Sequence, residues 1–163
     1  MYFVLEKSIV RKIWGSADTI LFIFAGASAE FALNKAVDWL YFTGKLPADP
    51  IGRLFSTVEY SRRIVFSKTE EANKAIDEIS KIHRSVESKR KDTIPDWAYR
   101  DVLYMLIDYS IRAYEMVHTQ LTFLEKTEVY AIFYKMGSRM KISDLPPNYE
   151  IWLKDRDRHI EQD

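Results

Sequence analysis

Residues 49–88, DPIGRLFSTVEYSRRIVFSKTEEANKAIDEISKIHRSVES, decide the fold because they predict two consecutive helices. Asp49 and Pro50 open the first helix, since an acidic N-cap followed by proline at the first helical position is a typical helix start. One stripe of this helix consists of Arg53, Thr57, Tyr60 and Ile64. The predicted packing stripe consists of Leu54, Val58, Ser61 and Val65. The helix therefore carries an arginine, a hydroxyl and a phenol on a face apart from its packing face.

The second helix of the pair places a histidine on an apolar stripe. Ser67 and Glu70 have capping-box spacing at its start, and Thr69 is a rival cap. The stripe consists of Ala72, Ala75, Ile76, Ile79, Ile82, His83 and Val86. A buried neutral imidazole is either a metal ligand or, more often, a hydrogen-bonded packing residue. The pattern alone leaves both interpretations of His83 open.

The order of these residues resembles a known protein family. The matching pieces are Arg53-x3-Thr57-x2-Tyr60, Val65-Phe66 and Ile82-His83-x2-Val86, with Ala25-Gly26 upstream and Leu121-Thr122, Glu128, Gly137 and Leu145-Pro146 downstream. In this order they are similar to the MpaB-like oxygenases and the latex-clearing rubber oxygenases. The resemblance extends over about Ser8 to Trp152.

This resemblance implies an all-α domain that holds haem b, with His83 as the ligand of the iron. It assigns Arg53 and Thr57 to the catalytic positions, and Arg53, Thr57 and Tyr60 to contacts with the cofactor. Arg53 would pair with a propionate, and the hydroxyls of Thr57 and Tyr60 would bond to oxygen, water or a propionate. Arg53 and Thr57 are then expected to face the same cavity as His83. The second ring nitrogen of His83 is expected to be oriented by Asp108 or by a backbone carbonyl.

The reaction implied is oxygenation of a hydrophobic, isoprenoid-like substrate by dioxygen. The sequence departs from the family pattern at several positions. Ser67 and Ser88 replace glycines, Lys35-Ala36 replaces a His-Pro pair, and Ser56 replaces the lysine of rubber oxygenases. Two other functions therefore stay open. One is a non-catalytic protein that binds haem or a hydrophobic ligand, and the other is a structural helical domain with His83 and Arg53 in its core.

The composition restricts the classes of function. A chain of 163 residues is expected to form one domain, with one well-buried core. Basic and acidic residues are equal at 24 each, which argues against a nucleic-acid or anionic-membrane partner. The absence of cysteine excludes disulfides, thiolate-ligated haem and iron–sulfur clusters bound by cysteine. The N-terminal residues lack a secretory signal, so a cytoplasmic location is the expectation.

The rest of the chain predicts an all-α domain of six or seven helices. Further helices are expected at 4–15, 17–42, 93–117 and 122–140, with a short last helix after Asn148. The uncharged run at 19–29 is shorter than the ~20 residues of a membrane span, which favours a buried core helix. The helix at 93–117 is apolar nearly all round, so it should lie at the centre of the domain.

The sequence also predicts where several helices begin and end. Thr93 is the expected cap of the central helix, and Thr122 with Glu125 forms a capping box. His118 is expected at a helix end. The charged tail at 154–163 is expected to fray, which makes His159 a poor candidate ligand.

Overall fold

The computed structural model describes residues 1–37, 39 and 50–162, without the side chains at 50–54 and 162. The helices within these ranges are α1 (Ile9–Gly15), α2 (Ala17–Phe31), α3 (Pro50–Phe66), α4 (Thr69–Arg90), α5 (Asp96–Val117), α6 (Phe123–Arg139) and α7 (Tyr149–Gln162). The described part contains no strand, only an isolated antiparallel bridge between Tyr2 and Lys68. The all-α prediction is confirmed. The predicted cap at Asp49 and the predicted loop at 43–49 lie outside the described residues.

Helix α5 lies at the centre of the domain, as its apolar sequence predicts. Its buried side chains Leu103, Ile107 and Ile111 join a core to which α1, α2, α6 and α7 also contribute. Helix α2 approaches α5 closely at Gly26, where an added Cβ would lie 2.3 Å from the ring of Tyr109. The small residues of α2 therefore serve helix packing at this point.

The start of α5 differs from the prediction. Asp96 is the first helical residue and Pro95 is the N-cap, so the predicted cap at Thr93 is wrong. The N–H of Ile94 instead donates to the Glu87 carboxylate at 3.0 Å. Because this bond ties the connecting segment to the end of α4, the new helix begins only after it.

Helices α3 and α4 pack as an antiparallel hairpin joined by Ser67 and Lys68. Lys68 is the N-cap of α4 and makes no side-chain capping bond. The cap predicted at Ser67, with Thr69 as its rival, therefore does not form. The carbonyl of Met1 accepts from the Thr69 N–H at 3.0 Å and from the Thr69 hydroxyl at 3.1 Å. A contact with the N-terminal segment thus replaces the local cap that the sequence predicts.

Helix α2 ends at Phe31 instead of continuing to the predicted residue 42. Residues 32–36 form turns and a bend. There the side-chain oxygen of Asn34 accepts from the Ala36 N–H at 2.7 Å. An asparagine that bonds to nearby backbone competes with helical hydrogen bonds, which explains the early end.

Helix α2 is a core helix, as predicted, with one face exposed. Ile23 is fully buried, whereas Leu21 and Phe22 on the opposite side are exposed. Across the described ranges, the structure contains no helix with the length and apolarity that crossing a bilayer requires.

The predicted capping box is confirmed at the start of α6. The Thr122 hydroxyl accepts from the Glu125 N–H at 3.2 Å, and the Glu125 carboxylate accepts from the Thr122 N–H at 2.8 Å. Asn148 likewise caps α7, since its side-chain oxygen accepts from the Ile151 N–H at 2.9 Å. His118 ends α5 as predicted.

The charged tail does not fray in the described part of the chain. Helix α7 continues to Gln162, and Arg156 and His159 are buried in its C-terminal half. The prediction is wrong because these charges find partners on α2 and α5, which charge density along the sequence does not reveal.

Candidate functional site

The hairpin of α3 and α4 carries the residues that the sequence singled out. Its register is set where the Arg63 guanidinium donates two bonds to the Glu78 carboxylate, at 2.7 and 3.1 Å. Ile64 packs against Ala75 and Ile76 in the same region. Because both helices rise about 1.5 Å per residue, this register places Thr57 level with residues 82–84. Thr57 on α3 and His83 on α4 are therefore expected at about the same distance from the turn that joins the two helices.

The ring of His83 lies half-buried on α4, less enclosed than its apolar stripe predicts. Ile79 and Val86, one turn to either side, are also half-buried, while Ile82 beside it is 47% exposed. The expected partner Asp108 is engaged elsewhere, because its carboxylate accepts from Arg112 and from Arg156. Of the two possible partners of the imidazole, Asp108 or a backbone carbonyl, Asp108 thus has arginine partners of its own.

On α3, Thr57 is exposed, and so are its neighbours Phe55 and Ser56. Tyr60 is half-buried and packs against the cluster around Ile64. The side chain of Arg53 lies outside the described residues. The structure thus brings Thr57 level with His83 but leaves Thr57 open to solvent.

A tyrosine of α5 contacts the imidazole of His83. The ring centroids of Tyr99 and His83 are 5.2 Å apart, with the planes tilted by 56°. The Tyr99 hydroxyl donates to the Glu87 carboxylate at 3.4 Å. Burial, with a further contribution from the Glu87 carboxylate, raises the pKa of Tyr99 to about 12. Sequence reasoning missed both residues, although Glu87 follows His83 by four positions and so shares its face of α4.

The surroundings of the three histidines distinguish His83 as the candidate metal ligand. His118 is exposed, and its Nε2 lies 3.2 Å from the hydroxyls of both Ser16 and Thr19. His159 is buried with its Nδ1 paired to Asp101. Each of the three histidines contacts an aromatic ring. His83 is the one that lies half-buried between apolar residues of its own helix, Ile79 and Val86, which fits the chemistry of a haem ligand.

The model of a protein family matches residues 12–151, and its description is "ER-bound oxygenase mpaB/B'/Rubber oxygenase, catalytic domain". The chain belongs to this family. The predicted resemblance over residues 8–152 is thereby confirmed, and the match contains the whole α3–α4 hairpin. Searches of curated proteins and of solved structures gave no significant match. Membership in this oxygenase family implies dioxygen and a small-molecule substrate as reactants.

Helix α7 of this oxygenase-family chain lies mostly beyond the matched segment and is bound by a buried polar network. Asp101, only 1% exposed, pairs with His159 and also accepts from the Asn34 amide at 2.9 Å. The Tyr104 hydroxyl donates to Asp155 at 2.7 Å, and burial raises the pKa of Tyr104. These bonds join α5 to α7 and to the segment that follows α2.

An ion cluster continues the network along α5. The Arg156 guanidinium lies 2.6 Å from the Glu30 carboxylate and 3.2 Å from that of Asp108. Burial lowers the pKa of Arg156, but its bonds to Glu30 and Asp108 outweigh that effect and raise the pKa. Two aspartates seven residues apart on α5, Asp101 and Asp108, are the sequence signal for this network. Within the described ranges, no group of three or more acidic and histidine side chains is arranged to hold a metal ion.

Two surface cavities of the described residues lie away from His83. One, of about 470 Å³, is lined by Met1, Tyr2, Phe3, Thr69, Asn73, Tyr134, Lys135, Ser138 and Arg139. The other, of about 450 Å³, is lined by Arg63, Lys68, Glu70, Glu71 and Lys74. Both surround the closed end of the hairpin, at the start of α4. The candidate ligand lies farther along α4, toward its C-terminus.

Proposed function

We propose that this chain is a haem b-dependent oxygenase that acts on a hydrophobic, isoprenoid-like substrate, with His83 as the iron ligand. The observation that carries the proposal is the position of His83, half-buried on α4 of an oxygenase-family domain. The bound haem would supply the activation of dioxygen. The protein would supply the ligand, the polar contacts and an apolar environment.

Each predicted residue has a distinct task in this proposal. The His83 imidazole binds the iron, and its place between Ile79 and Val86 keeps water from much of the ring. Arg53, on the facing helix, would bind a propionate through its guanidinium. Thr57 and Tyr60 present hydroxyls along the same stripe, and these would donate hydrogen bonds to oxygen, water or a propionate.

The exposed apolar side chains of the hairpin support a hydrophobic substrate. Phe55 is 68% exposed on α3, and Ile82 is 47% exposed on α4. Large apolar side chains left in water on adjacent helices favour binding of an apolar ligand, because covering them removes apolar surface from water.

Absorption spectra of protein expressed with a haem precursor test the cofactor. Wild type should show a Soret band, His83→Ala should bind little haem while staying helical, and His118→Ala should resemble wild type. Arg53→Ala should weaken haem retention through the lost propionate contact, with the exposed Arg62→Ala on the same helix as its control. A full Soret band in His83→Ala would show that another residue binds the iron. A wild type that takes up no haem would leave His83 as a structural residue.

A second candidate function is non-catalytic binding of haem or of a hydrophobic ligand. The exposure of Thr57 favours it, because a catalytic hydroxyl is expected in a site that excludes water. Oxygen consumption with a polyisoprenoid substrate distinguishes the two functions. Consumption that depends on substrate and is lost in His83→Ala supports the oxygenase. A haem-loaded protein that consumes no oxygen supports the binding protein.

A further inference from the structure

The face of α4 that carries His83 also carries Glu87, and both point toward α5. Residues four apart in a helix lie on the same side, so the imidazole and the carboxylate form adjacent contacts. Tyr99 of α5 meets both of them. Its ring lies 5.2 Å from the His83 ring, and its hydroxyl lies 3.4 Å from the Glu87 carboxylate.

Glu87 anchors this arrangement to the connection between α4 and α5. The same carboxylate oxygen that accepts from Tyr99 also accepts from the Ile94 N–H at 3.0 Å. Its backbone carbonyl accepts from the Lys91 N–H, where the chain leaves α4 in a left-handed conformation with φ 57°. The backbone of Tyr99 is therefore fixed by α5, and its hydroxyl is fixed by the bond to Glu87.

We propose that Tyr99 is a positioning residue for His83, with Glu87 as its anchor. The tilted aromatic contact restricts rotation of the imidazole about its Cβ–Cγ bond, so the ring is aimed before a metal arrives. The geometry is typical of aromatic pairs, whose centroids lie 4.5–7 Å apart. The inference rests on the proposed function only in naming haem iron as the metal.

Residues that orient a metal-binding histidine typically change metal affinity by 10–100-fold when they are altered. The same range is expected for loss of the Tyr99 ring.

Three variants test the roles of the Tyr99 ring, its hydroxyl and the Glu87 anchor. Tyr99→Ala removes both, Tyr99→Phe keeps the ring, and Glu87→Gln weakens the anchor. Tyr134→Ala, a partly exposed tyrosine of α6, is the matched control. Circular dichroism checks that each variant is folded.

The first readout is the His83 ring-proton signal in haem-free protein, which is assigned with His83→Gln among only three histidines. Tyr99→Ala should shift this signal by removing the neighbouring ring current, whereas Tyr99→Phe and Tyr134→Ala should leave it nearly unchanged. The second readout is haem affinity. It should fall by about 10-fold or more in Tyr99→Ala and be largely restored in Tyr99→Phe. Electron paramagnetic resonance of the ferric protein should show a broader spread of ligand geometries in Tyr99→Ala.

Two results would overturn the inference. One is a His83 signal that does not respond to Tyr99→Ala, and the other is a haem affinity that is equal in folded Tyr99→Ala and wild type. A wild type that binds no haem would contradict the proposed function instead. In that case the ring-proton signal alone still decides whether Tyr99 holds the imidazole.

Discussion

Replacing Arg156 with alanine should destabilise the protein strongly, because it removes the cation of a buried ion cluster. Arg156 is 4% exposed and bonds to Glu30 at 2.6 Å and to Asp108 at 3.2 Å. Removing one partner of a buried pair costs roughly 3–5 kcal/mol. We expect about 3 kcal/mol, the lower end of that range, because Asp108 keeps Arg112 and the partly exposed Glu30 can turn to water. For a chain of this size, the melting temperature should fall by about 6–12 °C.

Arg158 provides the matched control on the same helix. Its side chain is 63% exposed and pairs with Asp155 one turn earlier. Arg158→Ala should cost at most about 1 kcal/mol, since exposed pairs contribute little. Thermal unfolding followed by circular dichroism measures both variants. Equal shifts for Arg156→Ala and Arg158→Ala would refute the argument that the buried cluster stabilises this helix.

Three further predictions concern packing, capping and alkaline stability. Gly26→Ala should lower the free energy of unfolding by about 1–3 kcal/mol, because the new Cβ would overlap the Tyr109 ring. Gly15→Ala, whose Cβ would meet its nearest atom at 3.7 Å, should cause no such loss in the same denaturant titration. Thr122→Ala should cost about 1 kcal/mol through loss of the capping box, and an unchanged denaturation midpoint would contradict this. The pKa of Tyr99 is raised from 10 to about 12, so its contribution to stability is full below pH 10 and is lost as pH rises to about 12. Tyr99→Phe should therefore lose less stability than wild type over that interval.

Local signals predicted the helix starts that depend only on neighbouring residues. The capping box at Thr122 and the cap at Asn148 form as the sequence indicates. The caps expected at Thr93 and at Ser67, or its rival Thr69, do not form, because groups outside those segments bind them. The Glu87 carboxylate binds the segment before α5, and the Met1 carbonyl binds Thr69. Propensity rules describe a segment alone, so they cannot include such long-range bonds.

In the candidate site, too, the sequence predicted local features but not the contacts between helices. Helical periodicity predicted the face of α4 on which His83 lies, but it could not predict that the ring is only half-buried or that Thr57 is exposed. The contact with Tyr99 depends on how α4 and α5 pack, and residues 16 positions apart in sequence give no periodic signal for it. The burial of His159 depends on Asp101, which is farther still along the chain.

The family match ends before the last buried polar contacts of the domain, which are made by α7. The family match stops at residue 151, whereas the bonds from Arg156 and His159 reach into the middle of α5. An expression boundary drawn at the end of the match would leave the buried Asp101 without His159 and the buried Asp108 without Arg156. Buried carboxylates that lose hydrogen-bond partners destabilise the folded state. A chain shortened to the matched segment would therefore be less stable than the helical domain that includes α7.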